Sequence, residues 1–546
     1  MLASTGTLRL QTATSDLSSW NTAMLQASYA DGHVKLPDSV AWPTLHSPVL
    51  FVRDFYKPFF DDVLNGLRRN SSSISEKGAP MAKVVVCGNP GIGKSAFGMY
   101  AVFRALKDGR TVVYASAKQL QYYVFEGGHV FAIDSLKAVS HLLSMSDTVL
   151  ICDSLTPPLC NAFTLMVTSP RKERWHEYDK EMDCHMFFFP VFSMAEMRAC
   201  RDSCFPWVDD AGLESRFSRW GGIPRYVLAK LSSMNQQKLE NAVTAITLDN
   251  ILDHAESLEM KEEKDMSHRL LHIKVAGELD DNLPPNTADF YSKVRSELAS
   301  KYVANLVYNT AVRTKHMRIL DFLYGSSASS TFAVLRGQLF EEEALARLSA
   351  GGQFEVRRLA AVANNADSLD VLDIVPSART RFRTLDGMDG NSLRSQISAR
   401  LGCEATPVLF EPESKSLCAI DAVLPGRLLA NATVSTKHKA IVLAGVQRPG
   451  LIRVAELLQL EDEISFYWLV PSDVFDKLKV ARPFSLSGKA LSAAGHPVAR
   501  RVVQYALHVS LQQQGPGAAF KPRAHHSGSR AWLLQAAPRL LRLVRK

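Results

Sequence analysis

The fold of this chain is decided by one stretch, Val84-Val85-Val86-Cys87-Gly88-Asn89-Pro90-Gly91-Ile92-Gly93-Lys94-Ser95. Strand-forming residues lead into a glycine-rich turn, and Lys94-Ser95 opens an amphipathic pattern that predicts a helix over residues 96–106. Together they complete a G-x-x-x-x-G-K-S motif. Backbone amides and the positive end of the following helix surround an anion in such a turn, so the stretch predicts a phosphate-binding loop.

Each part of the motif has a chemical role in binding a nucleoside triphosphate. The Lys94 ammonium is placed to reach the β- and γ-phosphates, and the Ser95 hydroxyl is placed to bind Mg²⁺. We therefore expect ATP and Mg²⁺ as ligands, although the motif does not distinguish ATP from GTP. The expected nucleotide-binding residues are Gly88, Asn89, Pro90, Gly91, Ile92, Gly93, Lys94, Ser95, Ala96 and Arg225.

A second signal follows the phosphate loop in Thr148-Val149-Leu150-Ile151-Cys152-Asp153. An unbroken apolar run predicts a central parallel strand that is buried on both faces, and ligands bind at the carboxyl ends of such strands. Asp153 is therefore expected to hold the Mg²⁺ water shell beside Ser95 and to take part in catalysis with Lys94. Many related ATPases carry a glutamate next to this aspartate, but here the neighbour is Ser154, so hydrolysis is less strongly indicated than binding.

Two further segments are candidates for phosphate contact. The predicted strand Phe163-Thr164-Leu165-Met166-Val167 is followed by Thr168 and Ser169, which either reach the γ-phosphate or simply end the strand. Further along, Gly221-Gly222 ends one predicted helix and Pro224 starts the next. Arg225 then lies in a first helical turn, where it opposes the helix dipole, and this placement indicates a phosphate or carboxylate partner.

The chain of 546 residues is too long for one core, and its composition is that of a globular protein. Its clearest linker is Gly325-Ser326-Ser327-Ala328-Ser329-Ser330. The predicted divisions are a variable leader (1–39), a phosphate-loop domain (40–230), a mostly helical extension (231–325), a second α/β domain (331–510) and a basic tail (511–546). We find no apolar run long enough for a membrane span and no signal-peptide core.

The net charge of +8 is concentrated at one end of the chain. From Gly515 onward there are seven lysines and arginines and no acidic residue. Such a tail suits an anionic partner such as nucleic acid or phospholipid, and it is equally typical of a solvated, disordered end.

The second predicted domain contains a helix with glutamates, a strand that carries an aspartate, and a neighbouring strand with polar residues about ten positions on. This constellation is typical of restriction-endonuclease-like nucleases, in which carboxylates hold Mg²⁺ and the metal activates water against a phosphodiester. By spacing alone the signal is weak, because acidic residues at strand ends are common.

Taken together, the two halves resemble the Crinkler and retrotransposon hot spot (RHS) family of eukaryotic proteins, over residues 40–478. The resemblance implies a P-loop NTPase domain of the AAA/STAND type with a helical extension, then a restriction-endonuclease-like domain. The matching pieces are Gly88-Asn89-Pro90-Gly91-Ile92-Gly93-Lys94-Ser95, Val167-Thr168-Ser169-Pro170, Trp220-Gly221-Gly222-Ile223-Pro224-Arg225, Arg336-Gly337-Gln338-Leu339-Phe340-Glu341, Ala419-Ile420-Asp421-Ala422, and Asn431-Ala432-Thr433 followed by His438.

The resemblance also implies particular residues and partners. Glu341 and Asp421 would be metal ligands and catalytic residues of the second domain. Members of the family are nuclear proteins or effectors delivered into host nuclei, and they act on DNA or chromatin. An oligomer is compatible with this architecture.

The chain departs from the pattern of an active nuclease at two strand positions. Asn431 stands where Glu or Gln is usual, and Thr433 stands where the catalytic lysine is usual, with Lys437 as a candidate replacement. Two interpretations therefore stay open. In the first, ATP binding controls a DNA-cleaving domain. In the second, the protein is a non-catalytic nucleotide-dependent switch whose degenerate nuclease fold binds DNA or protein.

Overall fold

The computed structural model divides the chain into two compact units, Met1–Ala299 and Ser300–Lys546. The residues it describes are 15–43, 45, 47–75, 81–118, 122–170, 178, 184–245, 250–251, 267–275, 283–328, 332–360, 369–382, 408–412, 420–424, 428–435, 440–444, 450–458, 460–487 and 489–511. Lys437, His438 and residues 512–546 of the predicted basic tail lie outside these ranges. Within them, no helix has both the length and the apolar character needed to cross a membrane.

The first unit begins with elements that precede the phosphate loop. Tyr56 and Phe59 in this part are buried and pack edge-to-face on Phe97, which follows the loop. The elements are helix α1 (Ser15–Gln26), an antiparallel sheet of β1 (Tyr29–Ala30), β2 (His33–Lys35) and β3 (Val49–Phe51), helix α2 (Tyr56–Pro58), a π-helix (Phe59–Leu64) and helix α3 (Asn65–Ser75).

A seven-stranded sheet forms the centre of the first unit. It contains β4 (Lys83–Cys87), β5 (Thr111–Ser116), β6 (Tyr122–Glu126), β7 (His129–Ile133), β8 (Thr148–Asp153), β9 (Phe163–Val167) and β10 (Cys184–Phe188). Between them lie α4 (Lys94–Lys107), a 3-10 turn (Leu136–Val139) and α5 (Ser140–Leu143). The strand order is β10-β4-β9-β8-β5-β6-β7, parallel from β10 to β5 and antiparallel from β5 to β7.

This sheet places the phosphate loop and Asp153 at the carboxyl ends of neighbouring parallel strands. Every residue of β4, β8 and β9 is buried, as expected for parallel strands covered on both faces. The strands predicted from the apolar runs are confirmed. Because β9 lies between β4 and β8, its carboxyl end falls between the phosphate loop and Asp153.

The rest of the first unit corrects one expectation. The segment predicted to be mostly helical contains an antiparallel pair of strands, β11 (Leu271–Val275) and β12 (Val294–Leu298). In β11 apolar and polar side chains alternate, and this two-residue period outweighed the charge-rich surroundings that suggested helix. β12 has three polar residues in a row and forms by pairing with β11. The remaining elements are α6 (Met194–Cys204), α7 (Asp210–Trp220), a π-helix (Arg225–Ala229), α8 (Ser233–Gln236), α9 (Lys238–Ala245), α10 (Ser267–Leu270) and α11 (Ala288–Ser292).

The second unit starts at Ser300, ahead of the predicted linker. Helix α12 (Lys301–Gly325) and helix α13 (Ala333–Ala350) both belong to it, joined through a 3-10 turn (Ser326–Ala328). The predicted extension is thus divided between the two units, and the other domain limits stay predictions.

An eight-stranded mixed sheet forms the centre of the second unit, so both halves of the chain are α/β. The strands of this unit are β13 (Gly352–Arg358), β14 (Leu369–Ile374), β15 (Ala378–Phe382), β16 (Val408–Pro412), β17 (Ala422–Leu424), β18 (Leu428–Ala432), β19 (Ile441–Ala444), β20 (Ile464–Val470), β21 (Phe484–Leu486), β22 (Lys489–Leu491) and β23 (Val502–His508). The order in the large sheet is β14-β13-β23-β20-β18-β17-β16-β15, and β19, β21 and β22 form a smaller sheet. The shorter helices are α14 (Leu451–Leu457), α15 (Ser472–Phe475), a 3-10 turn (Ala493–Gly495) and α16 (Pro497–Arg500).

Candidate functional site

The phosphate loop runs from the end of β4 to the start of α4. Gly88, Gly91 and Gly93 have φ angles of 144°, 92° and 89°, a backbone conformation that side chains with a Cβ rarely adopt. The Lys94 ammonium is folded into the loop and donates hydrogen bonds to the carbonyl oxygens of Gly88 at 2.7 Å and Asn89 at 2.8 Å. Burial lowers the pKa of Lys94 to about 8. The lysine therefore lies inside a concave ring of backbone, where a polyanion would compete with two carbonyls for it.

Two contacts that the sequence did not reveal fix this loop in place. The Asn89 side chain donates to the carbonyl of Leu271 at 3.2 Å and accepts from the amide of Ile273 at 2.9 Å. Asn89 thereby pairs with β11 much as a neighbouring strand would. On the other side, the hydroxyl of buried Tyr56 donates to the Gly93 carbonyl at 3.2 Å. The loop is thus held from both sides before any ligand arrives.

Arg225, a predicted phosphate contact, lies against the phosphate loop beside Gly91. A Cβ added to Gly91 would come within 2.8 Å of the Arg225 Cβ, so only glycine allows this approach. The turn before Arg225 is equally close-packed, because a Cβ on Gly222 would lie 2.1 Å from the carbonyl oxygen of Phe192. Arg225 itself is exposed, which leaves its guanidinium accessible beside the loop.

A third cation, Lys118, joins Ser95 and Asp153 across the site. Its ammonium donates to the Ser95 hydroxyl at 3.0 Å and lies 3.6 Å from Oδ2 of Asp153. Asp153 is 2% exposed, whereas the Lys118 side chain is 58% exposed. The two residues predicted to bind Mg²⁺ are therefore close enough for one cation to contact both, and in this structure a lysine does so. Sequence reasoning missed Lys118, since it lies in a turn with no motif of its own.

The edge of the sheet beside Asp153 has two further polar features. Ser154 has a φ of 58°, which is unusual for a residue with a side chain, and its hydroxyl donates to Oδ1 of Asp153 at 3.1 Å. Thr168, at the end of β9, is 1% exposed, and its hydroxyl has no hydrogen-bond partner among the described residues. Burying an unpaired hydroxyl is unfavourable, so Thr168 is a candidate for contact with a ligand.

In the second unit, Glu341 and Asp421 share one cationic neighbour. The Lys301 ammonium lies 2.7 Å from Oε1 of Glu341, and both side chains are largely buried. Burial lowers the pKa of Lys301, but the charges of Glu341 and Asp421 raise it more, so the net shift is upward. The lysine therefore stays charged. Asp421 is anchored by its main-chain amide, which donates to the Ala430 carbonyl, and by its carboxylate, which accepts from the Ala432 amide, both at 2.8 Å.

Asn431 lies between these two anchoring residues on β18. It is 9% exposed, and its Oδ1 has no hydrogen-bond partner among the described residues. Thr433, two residues on, is buried and accepts from the Ser435 amide at 3.2 Å. In the part of the chain that the structure describes, no three His, Cys, Asp or Glu side chains are grouped closely enough to hold a metal ion. Any Mg²⁺ here would depend on one or two carboxylates, an amide oxygen and outside ligands, a set that Mg²⁺ accepts.

The neighbouring glutamates of helix α13 have other partners. Glu342 accepts from Asn305 at 2.9 Å and from Arg379 at 2.8 Å, and Glu343 accepts from the Tyr308 hydroxyl at 2.6 Å. These two carboxylates are 1% exposed and hold the helix to the rest of the unit. Glu341 differs in that its partner is Lys301, whose pKa the charge of Asp421 also raises.

Comparison with known proteins gives one group of relatives. No family model matches the chain. Crinkler effector proteins 15 and 16 of Phytophthora infestans are each 25% identical to it over 354 residues, which is 62% of this chain and 52% of each relative. The chain therefore spans about half the length of the curated relatives it matches. This identity supports a distant, Crinkler-like relationship.

Among solved structures, part of the chain is similar to the RuvB Holliday junction branch migration motor of Thermotoga maritima. The identity is 12% and the TM-score 0.21, over 53% of this chain and 87% of that one. A katanin structure overlaps at 13% identity and a TM-score of 0.22, over 39% of this chain and 74% of that one. TM-scores of this size carry no argument about function.

Proposed function

We propose that residues 1–299 bind a nucleoside triphosphate, ATP, together with Mg²⁺. The observation that carries this proposal is the phosphate loop itself. Its buried lysine donates to two backbone carbonyls, and Ser95 lies across from Asp153. Transferring the Lys94 ammonium from Gly88 and Asn89 to a polyphosphate would exchange neutral acceptors for charged ones, which form stronger hydrogen bonds.

The other residues of the site have separate roles in this proposal. Ser95 and Asp153 would hold Mg²⁺ in the position that Lys118 spans here. When bound, Mg²⁺ would supply positive charge against the phosphate oxygens. Arg225 would contact the phosphates from the side of Gly91, and the buried Thr168 hydroxyl would find its missing partner at the γ-phosphate end.

We also propose that the bound ATP is hydrolysed, at a low rate. Ser154 occupies the position where a carboxylate would polarise water, and its hydroxyl is engaged with Asp153. Release of phosphate from radiolabelled ATP under single-turnover conditions tests this step. Release that depends on Lys94 and Asp153 supports a hydrolase. Tight ATP binding without release would instead favour the non-catalytic switch.

A second candidate function concerns residues 300–511. We propose that Glu341, Asp421 and Asn431 form a centre that cleaves phosphodiester bonds with Mg²⁺. The unsatisfied, buried oxygen of Asn431 beside the anchored Asp421 favours this candidate, because a ligand would satisfy it. When bound, Mg²⁺ would stabilise the charge that develops on the phosphate.

Plasmid DNA with Mg²⁺, with and without ATP, tests the second candidate. Cleavage should be lost in Asp421→Ala and in Glu341→Ala. Unchanged cleavage in both variants would remove these residues from the mechanism. DNA binding without cleavage in the unmodified protein would favour a binding module built on a degenerate nuclease fold.

The biological setting follows from the Crinkler-like relationship, and we infer it from that relationship alone. An effector of this type would act in the nucleus of a host cell, on DNA or chromatin-associated proteins. Localisation of a fluorescent fusion in host cells tests it. Exclusion of the fusion from the nucleus would contradict the inference.

A further inference from the structure

Lys301 is the first residue of helix α12 and the cationic partner of Glu341. Its side chain is 4% exposed, and its ammonium lies 2.7 Å from Oε1 of Glu341. The charges of Asp421 and Glu411 also raise the pKa of Lys301. Glu411 has a separate partner, since Arg379 donates to both of its carboxylate oxygens. The Lys301 ammonium is thus directed at Glu341.

The position of Lys301 is unfavourable for a lysine that merely supports the fold. A cation in the first turn of a helix opposes the helix dipole, and a lysine is rarely this buried. The first position of a helix does not require a lysine. A buried ion pair such as Lys301–Glu341 can often be replaced by uncharged residues of similar volume with little loss of stability, so stability alone does not explain the pair. Residues placed against local structural preference, such as a buried cation in the first turn of a helix, are found most often at functional sites.

Strand β18, which pairs with the strand after Asp421, carries no charged side chain. Asn431 is neutral and Thr433 is a buried hydroxyl. A centre that cleaves a phosphodiester develops negative charge on the phosphate, and a fixed cation close to the carboxylates stabilises it. Lys301, whose ammonium lies 2.7 Å from Glu341, is a cation placed to meet this need.

We propose that Lys301 is the catalytic cation of the Glu341–Asp421 centre and contacts the scissile phosphate. This proposal rests on the second candidate function above. In the step, a water oxygen forms a bond to phosphorus and one ester P–O bond breaks. The water gives a proton to solvent and the leaving oxygen takes one from solvent, so the products are a phosphomonoester and an alcohol. Lys301 stays protonated throughout and acts by its charge.

The test compares Lys301→Met with Lys489→Met, a matched change at an exposed lysine of the same unit. Each full-length variant is assayed for plasmid cleavage with Mg²⁺, for binding of a short duplex DNA in EDTA by fluorescence anisotropy, and for thermal unfolding. We expect Lys301→Met to lower the cleavage rate by about 100-fold or more and to weaken metal-free DNA binding, while Lys489→Met changes neither. Thr433→Lys added to Lys301→Met should restore about tenfold of the lost cleavage, because it returns an ammonium to the same centre.

Cleavage by folded Lys301→Met within about threefold of the unmodified protein would overturn the proposal, as would loss of cleavage with unchanged DNA binding and no rescue by Thr433→Lys. If Lys301→Met does not fold, Lys301→Arg replaces it. Near-normal cleavage in Lys301→Arg supports a role for charge, and loss of cleavage in a stable Lys301→Arg overturns it. Absence of cleavage in the unmodified protein would instead contradict the second candidate function, and the proposal with it.

Discussion

At the scale of single residues, a lysine lies at each of the two candidate cation sites. Lys118 contacts Ser95 and approaches Asp153, and Lys301 pairs with Glu341. Buried carboxylates need a counter-charge, and a nearby ammonium supplies one when no metal is present. The two lysines differ in exposure. Lys118 is more than half exposed and can move away at little cost, whereas Lys301 is enclosed.

This difference predicts that Lys118 competes with Mg²⁺. In Lys118→Met, the Mg²⁺ concentration that gives half-maximal binding of a fluorescent ATP analogue should fall by about threefold to tenfold, since one charge near the site is removed and its exposure limits the effect. Lys137→Met, at another exposed lysine of the same unit, is the control. A higher Mg²⁺ requirement in Lys118→Met would show that the lysine helps to bind phosphate instead.

At the scale of elements, the strongly patterned segments were the ones that sequence predicted well. The buried strands β4 and β8 can be recognised in the sequence from their unbroken apolar runs. The strands β11 and β12 were missed because each is five residues long and lies among charged, helix-favouring residues. Short strands depend on tertiary pairing more than on local preference.

The turn before Arg225 gives a prediction about packing. Gly222→Ala should lower the free energy of unfolding by about 1 to 3 kcal/mol and weaken ATP binding, because the new Cβ would collide with the main chain of Phe192 and displace Arg225. Thermal unfolding and calorimetry measure the two effects. Gly66→Ala is the matched control, since no atom lies within 4 Å of its added Cβ. Equal stability of the two variants would contradict the close packing of this turn.

The start of helix α6 gives a prediction about pH. Burial raises the pKa of Glu196, but Arg53 and the hydrogen bonds with Ser193 lower it more, so the net shift is downward. A carboxyl group with a lowered pKa stabilises the fold above its unfolded pKa of about 4.3, and that contribution is lost as the pH falls through the folded value. Glu196→Gln should therefore reduce stability at pH 7 by about 1 to 3 kcal/mol, and the difference should shrink below about pH 4.

Urea unfolding at a series of pH values measures this difference. The control is Glu214→Gln, which removes a pair with Arg198 that is about one-third exposed on both sides. Exposed pairs of this kind contribute about 0 to 1 kcal/mol, so the control should show little change. A constant difference between Glu196→Gln and the unmodified protein from pH 7 to pH 3 would contradict the ion pair with Arg53.

At the scale of the whole molecule, the sequence predicted two α/β parts, and both units of the structure are α/β. It did not predict which distant residues complete each site. Asn89 bonds to β11 across 182 and 184 positions of sequence, and Lys301 meets Glu341 although the intervening residues carry no motif for it. Such pairs depend on how helices and strands pack, and a single sequence contains no periodic signal for that packing. The division between the two compact units, at Ser300, likewise has no linker composition to mark it in the sequence.

The central claim is that the loop between β4 and α4 binds a triphosphate through Lys94. Isothermal titration of the full-length protein with ATP and Mg²⁺ tests it most directly, with Lys94→Ala as the variant and Lys137→Ala, at an exposed position, as the control. We predict saturable one-site binding by the unmodified protein and by Lys137→Ala, and a loss of affinity of about 100-fold or more in Lys94→Ala. Equal affinity of all three proteins, or no binding by the unmodified protein, would contradict the account.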